Sequence, residues 1–223
     1  VGNLRLLIGD RKAYEELKKF GKTIFIEKAD DLNIESEDLR MSAKSELLEK
    51  LLECFADLGY EYSVINSAGE ISRIEEKFGF KIPVFEGAKT LQTAPDFETL
   101  KTVVEKAKKN AEKCGAVGVF VGFVRKFEGY KTVERLEYEA FNEILFEKIS
   151  EVENKIRSFP GIANAKLYHK LGKLMPGEDI VYIAVVGEHR KDIWAPLINA
   201  VELMKTELPI WKKEIYKDGE RWV

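Results

Sequence analysis

Ile180 to Val186 reads Ile-Val-Tyr-Ile-Ala-Val-Val, an apolar run without a single charge. It is far shorter than the roughly 20 apolar residues of a membrane helix. It is also too uniformly apolar for a strand with one wet face. The run predicts a central strand covered on both sides, so the surrounding chain has to supply sheet neighbours and covering helices.

Those elements are legible on either side. Gly115 to Arg125 is a long β run whose Gly118 and Gly122 mark a bulge or a close backbone approach. Thr132 to Ala140 alternates, with Leu136, Tyr138 and Ala140 on one face and Arg135, Glu137 and Glu139 on the other. Asn142 to Phe159 has helical spacing and stops at Pro160-Gly161. Ala165, Leu167, His169 and Leu171 mark another alternating strand, and Met175 to Glu178 a turn. Asp192 is placed to cap a helix running to about Glu207, with Pro196 in its first turn and Pro209 enforcing the exit. Ile210 to Tyr216 and Glu220 to Val223 flank Lys217-Asp218-Gly219, a hairpin turn. This order predicts an α+β domain.

The first ninety residues read as a small α/β domain. Strands are expected at Leu4 to Ile8, Thr23 to Ile26 and Tyr62 to Ile65, with helices at Arg11 to Phe20 and Ser42 to Leu58. Ser42 is the expected cap of the second helix and Gly59 its stop. Alternating strands and helices favour a parallel sheet. Pro83, Gly87 and Pro95 suggest a linker, which puts the boundary near residue 90 and gives domains at 1–90 and 91–223. A polar helix is expected over Glu98 to Lys113.

Composition narrows the chemistry. Only two cysteines and two histidines are present, too few for a disulfide framework or a typical zinc enzyme. Cys54, on the apolar face of its helix, is expected to pack in the core. No leader signature opens the chain, so a reducing cytoplasm is the expected location. The net charge of −3 divides unevenly: residues 1–100 carry 14 basic against 20 acidic side chains, the remainder 22 against 19. A mild basic excess is too weak for a nucleic-acid footprint but suits a small anionic ligand.

No Gly-x-Ser-x-Gly nucleophile elbow and no metal-spaced histidine pair occurs. What stands out is a set of cations at element ends: Arg125, His189, Arg190, Lys205, Lys212 and Arg221. Each has a plainer reading. Lys205 complements the negative end of its helix, Arg125 is a strand-end surface charge, and His189-Arg190 is a solvated loop pair. One of Lys212 and Lys213 faces water by strand alternation. His169, between Leu167 and Leu171, reads as a core or rim histidine.

Gly115 to Arg125 resembles the opening of the large, catalytic subunit of molybdopterin synthase. So do Leu136-Glu137-Tyr138-Glu139-Ala140, His169 to Glu178, Glu188-His189-Arg190, Met204 to Glu214 and Gly219-Glu220-Arg221-Trp222, in the same order across roughly residues 100–223. Where the family carries Ser-Ala or Ala-Ser before His-Arg, this chain has Gly187-Glu188.

The resemblance implies an α/β-hammerhead fold, a homodimer and a heterotetramer with a small ubiquitin-like sulfur carrier ending in a Gly-Gly thiocarboxylate. It implies cyclic pyranopterin monophosphate as substrate, insertion of two dithiolene sulfurs, and no metal or diffusible cofactor. By the same resemblance Lys205 and Lys212 are the catalytic lysines. Arg125, His189 and Arg190 bind substrate, and Arg221 reaches the neighbouring subunit's pocket. Two anions, phosphate and thiocarboxylate, call for such a cationic lining. The alternatives are a non-enzymatic scaffold that binds the carrier and, less in keeping with the acidic first half, an RNA or nucleotide module.

Ser42 to Leu52 and Gly59 to Ile65 faintly resemble the GTP-binding adaptor of molybdenum-cofactor assembly. Ala43-Lys44-Ser45 stands where that family has Gly-Lys-Ser/Thr, without the glycines that let backbone amides wrap a phosphate. A non-binding relic is the expectation.

Overall fold

The computed structural model describes residues 3–223, with the side chains of Asn142 and Glu143 left out of the description. It is an α+β protein of two compact units, Val1–Glu76 with Phe80–Thr102, and Lys77–Gly79 with Val103–Val223.

The first unit is a six-stranded mixed sheet. Its centre is parallel: β1 (Leu4–Ile8) and β2 (Thr23–Lys28) flank β5 (Tyr62–Asn66), with Leu6 and Ile24 both opposite Ser63. A hairpin of β3 (Leu32–Glu35) and β4 (Arg40–Ala43) extends one edge antiparallel, and β6 (Asp96–Phe97) pairs antiparallel with β1. The parallel expectation therefore holds for the central strands alone. Leu32 and Ile34 are buried and Asn33 exposed, an alternation too short to mark a strand in the sequence.

Helix α1 (Arg11–Leu17) is capped by Asp10, whose side chain accepts from the Ala13 amide at 3.0 Å. Helix α2 (Leu48–Asp57) starts later than the expected cap at Ser42, because Ser42 and Ala43 belong to the edge strand β4. Ser42 donates to Asn33 Oδ1 instead of capping. Leu48, Leu52 and Phe55 turn inward while Leu47, Leu58 and Cys54 are exposed, so Cys54 is not a core residue. The arc of apolar residues is wider than the face the sheet can cover. Gly59 ends α2 as expected. At φ +79° it lets its own amide reach Ala56 O and the Tyr60 amide reach Phe55 O, the paired closure of a Schellman motif. A further helix, α3 (Ala68–Phe78), not among the expected elements, carries Ile71, Ile74 and Phe78 at helical spacing, with Ile74 buried. Leu91 and Ala94, within the expected linker, and Phe97 just after it are buried.

Helix α4 spans Leu100–Ala107, shorter than expected. The second unit has two antiparallel sheets. In the first, β12 (Asp179–Gly187) lies between β10 (Ile162–His169) and β7 (Ala116–Phe123), the central place its apolar run predicts. Val181 to Gly187 is buried throughout. The second sheet runs β11 (Gly172–Leu174), β9 (Lys131–Ala140), β13 (Ile210–Tyr216), β14 (Gly219–Trp222), with β8 (Phe127–Glu128) also on β9. Helices α5 (Asn142–Arg157) and α6 (Arg190–Glu207) supply Leu145, Val152, Ile156, Ile193, Leu197 and Ala200 to a core shared with both sheets.

Gly118 is a close-approach glycine: a Cβ there would come within 2.3 Å of Ile193 Cγ2 on α6. Helix α6 begins one turn before the expected cap. His189 is the cap residue, and its amide donates to the Asp192 carboxylate at 3.1 Å. Pro196 consequently falls in the second turn, with its ring buried. Among the described residues, no helix is long and apolar enough to cross a membrane.

Candidate functional site

Strand β13 presents Lys212, Glu214 and Tyr216 on one face, because side chains alternate at every residue. The tight turn after Tyr216 pairs it with Gly219, which puts Arg221 opposite Glu214. On the other side Lys212 lies opposite Tyr138 of β9, and Glu214 opposite Leu136. Tyr138 and Leu136 are core residues, so this is the inward face of the sheet. Lys213 points the other way, beside Glu220 at 2.7 Å and over the Trp222 ring.

Glu214 is the hub. It is 4% exposed, yet both of its oxygens are engaged. Lys212 Nζ lies 2.6 Å from Oε1, and Arg221 Nη2 lies 3.3 Å from Oε2. The Tyr216 hydroxyl donates to Oε2 as well. Burial alone would raise the Glu214 carboxyl. The hydrogen bonds from Lys212 and Tyr216 and the charges of Lys212 and Arg221 outweigh it and hold the group below the usual carboxylate range. An ionised Glu214 in turn holds the Lys212 ammonium in place.

The cluster continues outward. The Tyr216 hydroxyl also meets Glu128 of β8, and Glu128 Oε1 lies 3.8 Å from Arg125 Nη2. Arg125, Lys212 and Arg221 are thus joined through two glutamates and one phenol. Neither glutamate nor Tyr216 was singled out from sequence. A signal existed for two of them: the Lys-x-Glu-x-Tyr alternation and the hairpin turn together fix the Glu214–Arg221 register. Nothing in the sequence links Glu128 to Tyr216.

The other cations lie on α6. Arg190 is its first residue and His189 its cap, both exposed, while Lys205 is in the last turn, 3.2 Å from Glu202. The fifteen residue steps from Arg190 to Lys205 span roughly 22 Å at 1.5 Å per residue. A single chain therefore does not bring all of the expected site residues together.

Beside the cluster, Tyr138 packs edge-on against His169, ring centroids 4.9 Å apart. Burial and then the nearby Glu214 charge push the Tyr138 phenol up to about 12. Burial pushes His169 down to about 4, against the opposing hydrogen bond to the Lys170 carbonyl. A neutral imidazole donates from Nδ1 to that carbonyl at 2.7 Å, in keeping with a structural histidine.

The first unit holds an open cavity of about 440 Å³ over β2 to β4. Glu35 already takes Arg11 at 2.9 Å and Arg40 at 3.5 Å on its wall, so an anion would have to displace that carboxylate. The Ala43-Lys44-Ser45 segment leaves the antiparallel edge strand β4 and enters a 3-10 turn. Its Ser45 hydroxyl accepts from Lys28, and its Ser45 carbonyl from Arg73. Among the described residues, no group of three or more His, Cys, Asp or Glu side chains is placed to hold a metal ion.

Comparison with known proteins gives a consistent picture for the second half. The model of the family described as MoaE protein matches residues 93–207. The molybdopterin synthase catalytic subunit of Bacillus subtilis is 38% identical over 131 residues, covering 57% of this chain and 83% of that protein. The corresponding subunit of Staphylococcus aureus (strain Mu50 / ATCC 700699) is 41% identical over 110 residues, covering 48% and 73%. The crystal structure of molybdopterin synthase from Staphylococcus aureus superposes with a TM-score of 0.53 at 35% identity, covering 57% of this chain and 90% of that one.

Proposed function

Because the chain belongs to the MoaE protein family, we propose that it is the catalytic subunit of a molybdopterin synthase, a sulfurtransferase of molybdenum-cofactor biosynthesis. The substrate is cyclic pyranopterin monophosphate. The sulfurs come from the C-terminal thiocarboxylate of a small ubiquitin-like carrier, and two of them build the dithiolene. The observation that carries this reading is the family match over 93–207, which takes in Arg125, His189, Arg190 and Lys205. The proposed border of the catalytic domain lies near residue 90; the family match begins at 93 and the second compact unit resumes at Val103. The cytoplasm is the proposed location.

The chemistry asks this chain for cations rather than a thiol, since sulfur arrives already bound to the carrier. Lys212, oriented by Glu214, stabilises negative charge that develops on the pterin during transfer. Lys205 faces the carrier's terminal carbonyl and stabilises charge there as the carbon–sulfur bond breaks. Its exposed position suits a group that meets a partner's tail. Arg125 and Arg190 take the phosphate, for which a planar guanidinium fork is well matched, with His189 beside them.

The separation along α6 bears on assembly. If Arg190 and Lys205 serve one pocket, they come from two copies of the chain, which is what a homodimer provides. Two carriers on that dimer make a heterotetramer.

The direct test mixes the chain with thiocarboxylated carrier and cyclic pyranopterin monophosphate and measures dithiolene. Lys205→Ala and Lys212→Ala should each remove most turnover. Normal rates in both variants would overturn the site assignment, and carrier binding without any turnover would favour a scaffold.

A further inference from the structure

The Tyr216 hydroxyl has two carboxyl neighbours, Glu214 beside it on β13 and Glu128 on β8. A phenol donates one hydrogen bond, and its oxygen can accept another. Two ionised carboxylates offer acceptors only, so the phenol's one proton is contested between Glu214 and Glu128. The cations against this cluster come from the adjoining elements. Lys212 is on β13, Arg221 on β14, Arg125 precedes β8, and Lys131 of β9 lies 5.0 Å from the Tyr216 ring centroid.

We propose that Tyr216 and Glu128 are positioning residues of the sulfur-transfer site: the Tyr216 phenol, held between Glu128 and Glu214, locks the Glu214 carboxylate with one oxygen on Lys212 and the other on Arg221. This rests on the reading above that Lys212 acts in the transfer step. Glu214 alone could rotate between its two cations. With the phenol on Oε2, Oε1 is committed to Lys212, and the ammonium is fixed before substrate arrives. The Glu128 side chain is 37% exposed against 5% for Glu214, so the cluster meets solvent at its Glu128 end. The same tie couples Arg125, the proposed phosphate ligand, to the setting of Lys212.

The test compares Tyr216→Phe, Glu128→Ala and Glu128→Gln in the full chain with carrier and pterin. Losing a hydrogen bond to a charged group should lower kcat about tenfold in Tyr216→Phe, with KM for the pterin little changed. The acid limb of its kcat–pH profile should move. Glu128→Ala should fall similarly, and Glu128→Gln, which keeps a hydrogen-bonding group on the phenol, should recover most of that loss. Wild-type kcat and pH profile in Tyr216→Phe would overturn the proposal. So would a rise in KM at unchanged kcat, which belongs to a binding residue. An acid titration followed by infrared spectroscopy covers the case in which Tyr216→Phe fails to fold. The carboxylate that Glu214→Gln removes should protonate below the ordinary carboxylate range in the wild-type chain, and protonation within or above that range sinks the lock. That measurement needs no turnover, so it stays decisive even if the wild-type chain makes no dithiolene and the functional reading itself fails.

Discussion

Lys212 Nζ sits 2.6 Å from Oε1 of Glu214, a carboxylate two residues along the same strand that is almost wholly removed from solvent. Burying a carboxylate is unfavourable unless it is paired, and here two cations and a phenol pair it. The pair therefore has a purpose beyond stability, because an apolar residue could fill the same space without the desolvation penalty.

Removing that hub separates its two roles. Glu214→Gln keeps the shape but not the charge, and leaves Lys212 and Arg221 facing a neutral amide. Turnover should fall, and stability should drop by about 1–3 kcal/mol, the range for a hydrogen bond to a charged group or a buried group left unpaired. Urea denaturation read beside dithiolene formation checks both. Unchanged turnover would mean that Lys212 needs no partner to act.

The position of Arg190 and Lys205 at opposite ends of α6 makes a mixing experiment informative. Lys205→Ala and Arg190→Ala should each be nearly inactive alone. Refolded together, half of the dimers are mixed, and each mixed dimer has one intact site if the two side chains come from different copies. Roughly a quarter of wild-type activity should return. No recovery places both residues' work within one chain.

His169 predicts an acid-side loss of stability. Its folded value near 4 lies below the ordinary 6.5, so the unfolded chain takes up a proton first as pH falls. Stability is intact above about 6.5 and declines toward 4. In His169→Gln that decline should flatten, while the contribution of Glu214, lost only below the ordinary carboxylate value near 4.5, persists in both proteins. Denaturation midpoints across this window test it. Identical slopes would show that His169 is not the titrating group.

Gly118 should tolerate no side chain. The Cβ of an alanine would overlap Ile193 Cγ2 at 2.3 Å, and α6 is tied to the sheet on both sides of that contact. Overpacking of this kind costs about 1–3 kcal/mol, and Gly118→Val should cost more than Gly118→Ala. Thermal denaturation gives the order directly. Equal melting temperatures would mean that the helix can lift off the strand freely.

Much of the second unit was legible because its signals are local and strong. The apolar run at 180–186 could only be a covered strand, and the turn at 217–219 could only reverse the chain between two alternating segments. The first unit was harder. The hairpin of β3 and β4 is short and half polar, so Ser42 reads as a helix cap although it lies in β4. The apolar residues of α2 spread over more of the helix than one sheet face can bury, which leaves Cys54 outside the core.

For the site, the chain by itself determined which cations are available and, through its ordered motifs, the family in which they act. Residue type and spacing along a strand or helix are properties of the sequence, so the shared face of Lys212 and Glu214 and the long reach from Arg190 to Lys205 were already written there. The tertiary structure alone decided what each cation meets. Glu128 and Tyr216 are 88 residues apart, and only the pairing of β8 and β13 on either side of β9 brings them to one hydrogen bond. A carboxylate's charge state depends on who stands beside it in space, and neighbours of that kind cannot be counted along a chain.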